Sequence, residues 1–285
     1  MSKRLIAFGV AGVVIALGGF LAAGQTGRIV LAWAQSTKDF TQCTADPRIW
    51  CEPGAEADAR AIAPLVAASL VVVERAHYGQ FPQPVRIQVY RTRESFARHS
   101  AVSPVAYGAT GMGAVHLSPR VARGPEALRG SILAHELSHL HLQQQAGNLA
   151  VARLPNWFME GLPTAVSNGG GAEKISRDQA VFAMVHGRHF KATEEGSLWF
   201  PKRAAEYRLS WPMYYRQTSM MVDYMKQCDG AAFERMIKDI AAGKAFGAAV
   251  QAAYGRPLSL LWADFRAELS RDPGAAWPKK NAPQA

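Results

Sequence analysis

Three cysteines are too few to staple a chain of 285 residues, and none stands in C-x-x-C spacing. That excludes a disulfide-framework fold and a cysteine-ligated zinc site. There is no internal repeat and no low-complexity tract beyond an Ala/Gly bias, which excludes a solenoid or a disordered polymer. Acidic residues are the minority: 22 Asp and Glu face 32 Lys and Arg, for a net charge of +10 and a pI near 9.7. The basic residues are dispersed, with no nucleic-acid-binding motif beside them. The expectation is therefore no nucleic-acid partner, but attraction to anionic lipid or a cell-wall polymer. What is present in quantity is apolar: 49% hydrophobic residues suffice for a packed core.

Long apolar runs are scarce, and one stands out. Leu5 to Ala23 is 19 residues without a charge, preceded by Lys3 and Arg4. That length crosses a bilayer, and the flanking charges put its start in the cytoplasm. Residues 1–27 are thus expected to be a signal-anchor, leaving a single-pass protein of a bacterial-type inner membrane with the rest on the periplasmic side. A cleaved signal peptide and a secreted periplasmic product are the alternative, because Ala22-Ala23-Gly24 and Ala32-Trp33-Ala34 both offer small-residue cleavage sites. Residues 28–54 read as a linker. Within it Cys43 and Cys51 flank Asp46-Pro47 and suit a disulfide in an oxidising compartment, while Cys228 is left over as an expected buried thiol.

From 55 to 272 the patterns describe one α+β, mainly helical domain with a small sheet. Apolar positions recur at helical intervals from Glu56 to Tyr78, with Gly79 as a stop, and Val85 to Val89 alternates like a half-buried strand. Thr92 caps a helix to Ser100. Val105–Thr110 and Gly113–Ser118 read as two strands joined through Gly111-Met112-Gly113. His116 there is an exposed strand histidine or a substrate contact, and His141 is structural. Between Asn168 and Ser210, Lys174, Arg177, Arg188, Lys191, Lys202, Arg203 and Arg208 mix with Trp199, Phe200 and Tyr207. That mix reads as a solvated surface or as a cleft rim for an acidic or aromatic segment. Helices are expected around Tyr215–Gln227, Ala231–Ala242 and Leu258–Leu269, and residues 273–285 read as a loose tail.

The stretch that organises the rest is Ser131-Ile-Leu-Ala-His135-Glu136-Leu-Ser-His139-Leu140. Pro125 and Glu126 start its helix, Gly147 stops it, and Leu128, Ile132, Leu133, Leu137 and Leu140 supply an apolar stripe. His135 and His139, four residues apart, stack one turn above the other and aim both imidazoles at one point, where a zinc ion fits. Glu136 projects beside them, able to reach a metal-activated water as general base without ligating. A third ligand is needed, and Glu160 in Pro155-Asn-Trp-Phe-Met-Glu160-Gly161 is the candidate, on a second helix opened by Pro155 and Asn156.

His135-Glu136-x-x-His139 followed by Trp157-Phe158-x-Glu160-Gly161, with twenty residues between His139 and Glu160, resembles the gluzincin metallopeptidases, in particular the peptidase MA-like group related to thermolysin and the aminopeptidase N family. The resemblance implies a zincin-like fold, one Zn2+ held by His135, His139 and Glu160, and Glu136 as catalytic base. It implies a tyrosine opening a later helix, matched by Tyr215 with Tyr214 as substitute, to hydrogen-bond the oxyanion. It also suggests Gly113 to Leu117 as the sheet edge along which an extended peptide pairs. Two departures stand out: Pro163 follows the Glu-Gly-Leu run and would kink that helix, and Thr164 occupies the place of a carboxylate that orients a ligand histidine. The expected activity is hydrolysis of a peptide or protein substrate, endo rather than exo, since no Gly-x-Met-Glu-Asn-like segment stands before the histidine helix to grip a substrate amine. A catalytically silent zincin-like module that binds an envelope partner is the other reading, and nothing in the residues points to an oligomeric state.

Overall fold

The computed structural model describes residues 25–197 and 200–271. The apolar run Leu5–Ala23, the first cleavage site, Trp199 and the C-terminal tail lie outside the described residues. The order is α1 (Gln25–Trp33), β1 (Thr41–Gln42), β2 (Ile49–Cys51), α2 (Glu56–Ala76), β3 (Ile87–Val89), α3 (Arg93–Ser100), β4 (Gly108–Gly111), β5 (Ala114–Leu117), α4 (Glu126–Ala146), α5 (Asn156–Val166), α6 (Arg177–Val185), α7 (Trp211–Cys228), α8 (Gly230–Ala241), α9 (Phe246–Tyr254) and α10 (Leu258–Arg271). Short helical turns at Pro119–Ala122, Asn148–Val151 and Ala204–Tyr207 complete it. This is an α+β protein, mainly helical, with one small mixed sheet. Two compact units make it up, one of residues 25–64 with 86–124 and the other of 65–85 with 125–271. Among the described residues no helix is long and apolar enough to cross a membrane.

The first unit holds the five-stranded sheet, in the order β1-β2-β3-β5-β4. Strands β2, β3 and β5 run parallel, and β1 and β4 are antiparallel to their single neighbours. The β4–β5 hairpin turns at Met112 (φ 53°) and Gly113 (φ 74°), two successive left-handed residues of the kind a two-residue turn requires. That turn corrects one expectation. Gly113–Leu117 is not the sheet edge, because the hairpin lays Gly108–Gly111 along its outer side and β5 pairs with both β3 and β4.

Cysteine pairing is corrected too. Cys43 and Cys51 are buried free thiols rather than a disulfide. The antiparallel register sets Cys51 opposite Thr41, with its Sγ 3.7 Å from the Thr41 carbonyl oxygen, while the Cys43 amide bonds the Ile49 carbonyl. Cys228, expected to be buried, is exposed at the end of α7.

Thr92 caps α3 as its sequence suggested, its hydroxyl accepting from the Ser95 amide. His116 is neither exposed nor open to a substrate: it is 2% exposed, with Nδ1 2.6 Å from the Tyr90 hydroxyl and Nε2 3.1 Å from the Gly111 carbonyl oxygen.

The second unit is helical, and its core gathers side chains from α4 through α10, among them Phe158, Leu162, Phe190, Met221, Phe233 and Phe265. Helix α4 begins after Pro125 and ends at Gly147 (φ 80°), as its punctuation predicts. Helix α5 runs from Pro155 through Pro163 to Val166, and the chain turns out of it at Asn168 (φ 54°) and Gly169 (φ 100°). Helices α6 and α9 were not anticipated. The basic stretch before α7 is fastened at a few points: Phe190 is fully buried and the Trp157 indole donates to the Thr193 carbonyl, whereas Phe200 is 82% exposed. It is a surface with anchors.

Burial presses the His116 pKa down from about 6.5 to about 4, against the Gly111 carbonyl, which favours the charged ring. Unfolded, His116 takes up its proton near pH 6.5; folded, it holds out until about 4. Its stabilisation is complete above 6.5 and is lost as the pH falls toward 4. His116→Gln is expected to flatten the fall in unfolding free energy between pH 6.5 and 4 by up to roughly 3 kcal/mol, at about 1.4 kcal/mol per unit. Urea titrations of both proteins across that range check it, and identical slopes would refute it.

Candidate metal centre

Consecutive turns of α4 carry His135 and His139, whose rings stand 4.9 Å apart at 67°. Their Nε2 atoms are 3.2 Å apart, and Glu160 of α5 brings Oε2 to 3.6 Å from the first and 3.7 Å from the second. Three atoms bonded to one small divalent ion at about 2.0–2.2 Å, with tetrahedral angles, would stand roughly 3.3–3.6 Å from one another. The observed triangle has that size. The two carboxylate distances exceed hydrogen-bond length, the two Nε2 atoms stand at hydrogen-bond distance from each other, and the three atoms lie close enough together to share one ion. Among the described residues this is the cluster whose donor atoms could hold a metal ion.

Exposure shows that the site can be reached: the side chains of His135 and His139 are 7% and 13% exposed, and that of Glu160 is 24% exposed. Burial raises the Glu160 pKa, but His135 and His139 outweigh it and hold the carboxyl well below the usual range. Burial likewise opposes charge on His139, and Glu160, with help from Glu136, still lifts it above an ordinary imidazole. Glu136 itself is buried. Its field reaches both His139 and Tyr215.

Tyr215 and Tyr214 separate cleanly. The Tyr215 ring lies 5.8 Å from the His135 ring, and the Glu160 carboxylate is near enough to act on its hydroxyl. Burial first, and then the charges of Glu160 and Glu136, push its pKa well up, so it stays a hydrogen-bond donor. Tyr214 is fully buried in the helical core and donates to the Lys202 carbonyl at 3.1 Å, which rules out its use as the substitute.

Glycines do the positioning that the sequence reading missed. A Cβ on Gly161 would stand 2.8 Å from the Thr218 carbonyl oxygen of α7, so only glycine lets α5 and α7 approach this closely. One on Gly171 (φ +86°) would stand 2.6 Å from the Tyr215 ring, and one on Gly170 would stand 2.7 Å from the Ser131 carbonyl oxygen of α4. The run Gly169-Gly170-Gly171 is the visible signal that could have found it. Arg216 holds this loop through the Ile175 and Ala172 carbonyls, and Glu173 accepts from the Gly171 amide at 2.9 Å.

Behind the ligands the structure is lean. His135 Nδ1 is buried with no hydrogen-bond partner among the described residues. Thr164 is spent on the Gly170 carbonyl at 3.3 Å. On the far side of α4, Ser138 bonds His77 at 2.8 Å, and His141 bonds the Gly79 carbonyl at 2.9 Å, which makes His141 structural, as expected.

No protein-family model matches this chain, and no curated protein matches it either. The site therefore rests on its own geometry.

Two outcomes follow. Gly161→Ala is expected to cost about 1–3 kcal/mol by forcing α5 from α7, and to weaken metal binding with it; chemical unfolding and a metal titration measure both, and a gain in stability would contradict the close approach. Glu160→Gln is expected to remove stoichiometric binding of a divalent ion, read by mass spectrometry of the native protein, and full retention would remove Glu160 from the ligand set.

Proposed function

We propose that this chain is a zinc-dependent peptidase with a zincin-like site of gluzincin type, anchored by its N-terminal segment at the outer face of an inner membrane. The observation that carries the reading is the His135–His139–Glu160 triangle, sized for one ion and open on its Glu160 side. Two imidazoles and one carboxylate are a donor set that zinc prefers, and three protein ligands leave a position for water. Bound there, zinc would acidify water from a pKa of 15.7 toward about 7 and polarise a peptide carbonyl.

The chain's own groups supply the proton traffic. Glu136 accepts a proton from the attacking water as its oxygen bonds the carbonyl carbon, and passes that proton to the amine nitrogen as the C–N bond breaks. Support for a donor role at Tyr215 comes from its place beside the His135 ring and its raised pKa: its hydroxyl stays protonated and can stabilise negative charge on the carbonyl oxygen. The substrate is a peptide or protein, with endopeptidase cleavage as the preferred mode.

One observation favours a second reading, a catalytically silent module that binds an envelope partner. Among the described residues His135 Nδ1 lacks the acceptor that commonly orients a ligand imidazole, which lowers the expected hold on metal. Metal analysis and turnover on a peptide library separate the two. The enzyme is expected to bind one zinc and hydrolyse peptides, and Glu136→Gln to keep the zinc while kcat falls about 10²–10⁴-fold. Unchanged hydrolysis in that variant would remove Glu136 as base, and stoichiometric zinc without any turnover by the wild-type protein would favour the silent module.

A further inference from the structure

Val30, Leu31 and Trp33 of helix α1 turn their side chains away from the protein. Ala32 is buried at 4% exposure, while Val30, Leu31 and Trp33 are 63%, 52% and 77% exposed. At about 100° per residue, those three occupy an arc of roughly 160° centred opposite Ala32. One face of the helix packs inward, against α3; the other presents Val30, Leu31 and Trp33. Single exposed apolar residues are ordinary, but three on one helix face mark a contact surface.

The composition of α1 indicates what covers it. The helix, Gln25-Thr-Gly-Arg-Ile-Val-Leu-Ala-Trp33, has no acidic residue, and Arg28 is exposed. In the sequence it follows the uncharged run Leu5–Ala23 with only Gly24 between. A chain that leaves a bilayer at Ala23 has its next two or three turns at headgroup depth, where tryptophan rings concentrate and basic side chains meet anionic lipid. Helices with an apolar face and no net acidity lie flat at that depth.

We propose that the Val30–Leu31–Trp33 face of α1 is seated in the interface of an anionic lipid bilayer, as a foot beside the anchor rather than part of a free linker. This rests on the anchoring reading of Leu5–Ala23. The partner is the bilayer itself, and the chemistry that recognises it is apolar burial from one face with Arg28 toward the headgroups.

The full chain, carrying Cys228→Ser, is reconstituted in vesicles of phosphatidylcholine and phosphatidylglycerol. A fluorescent label is attached through Val30→Cys, Leu31→Cys or Trp33→Cys, and through Asp39→Cys as the water-exposed reference; Cys43 and Cys51 are buried and stay unlabelled. Nitroxide lipids are expected to quench the labels at 30, 31 and 33 several-fold more than the one at 39, with iodide doing the reverse. Co-flotation with vesicles while iodide quenches all four alike would overturn the foot and leave the anchor standing. Labels at 30, 31 and 33 shielded from both quenchers would assign the face to protein, such as a second copy, and overturn it as well. Failure to float with vesicles would bring down anchor and foot together.

Discussion

A carboxylate held within 3.7 Å of two imidazoles is the interaction on which the second unit depends. Desolvating Glu160 is costly, and the cost is offset only because His135 and His139 arrive on successive turns of one helix at a fixed spacing. The demand then passes to α5, which must approach α4 with one residue and α7 with the next. Glu160 faces the histidines, and Gly161, its neighbour, faces Thr218 and Val222. A side chain on the second would withdraw the first. The pairing of Glu160 with Gly161 is therefore a packing requirement as much as a chemical one.

Helix α7 repeats the arrangement from the other direction. Tyr215 lays its ring beside His135, and Arg216 clamps the loop after α5 through two carbonyls. That loop must be glycine where it passes the tyrosine ring and the α4 backbone, since a Cβ at Gly170 or Gly171 would stand within 3 Å of its neighbours. The loop, the tyrosine and the two ligand helices consequently form one packed body, in which a shift of any member moves the donor atoms.

Much of this was legible because it is written in local punctuation. Pro125 and Gly147 bound α4 where they should, Thr92 caps α3, and the four-residue histidine spacing needs only a helix to converge. The donor set followed from residue types and one helix start. What could not be read depends on who stands opposite. Strand order is such a case: the turn at Met112-Gly113 was visible, but that it lays β4 outside β5 is decided by long-range pairing. Register decides the cysteines in the same way, because Cys51 faces Thr41 and not Cys43. His116 belongs here too, its burial set by Tyr90 and the hairpin. Gly161 and Gly171 looked like any other glycines until α7 lay against them.

The lean surroundings of the ligands have a physical reading. A ligand imidazole is commonly oriented by an acceptor on its second nitrogen, yet His135 Nδ1 has none among the described residues and Thr164 bonds elsewhere. Orientation must then come from packing: the Tyr215 ring lies beside His135, and the helix that carries both histidines buries Leu133, Leu137 and Leu140. Charge makes this sufficient. A divalent ion, if held at Glu160, would have a second carboxylate close by in Glu136, whose field reaches His139 and Tyr215. A third carboxylate behind His135 would add a buried negative charge with no cation left to meet it, at a desolvation cost of several kcal/mol. The absence of an acidic residue at Thr164 is thus consistent with the charge balance of the site, and it transfers the burden of holding the histidines to the close contact of α5 with α7.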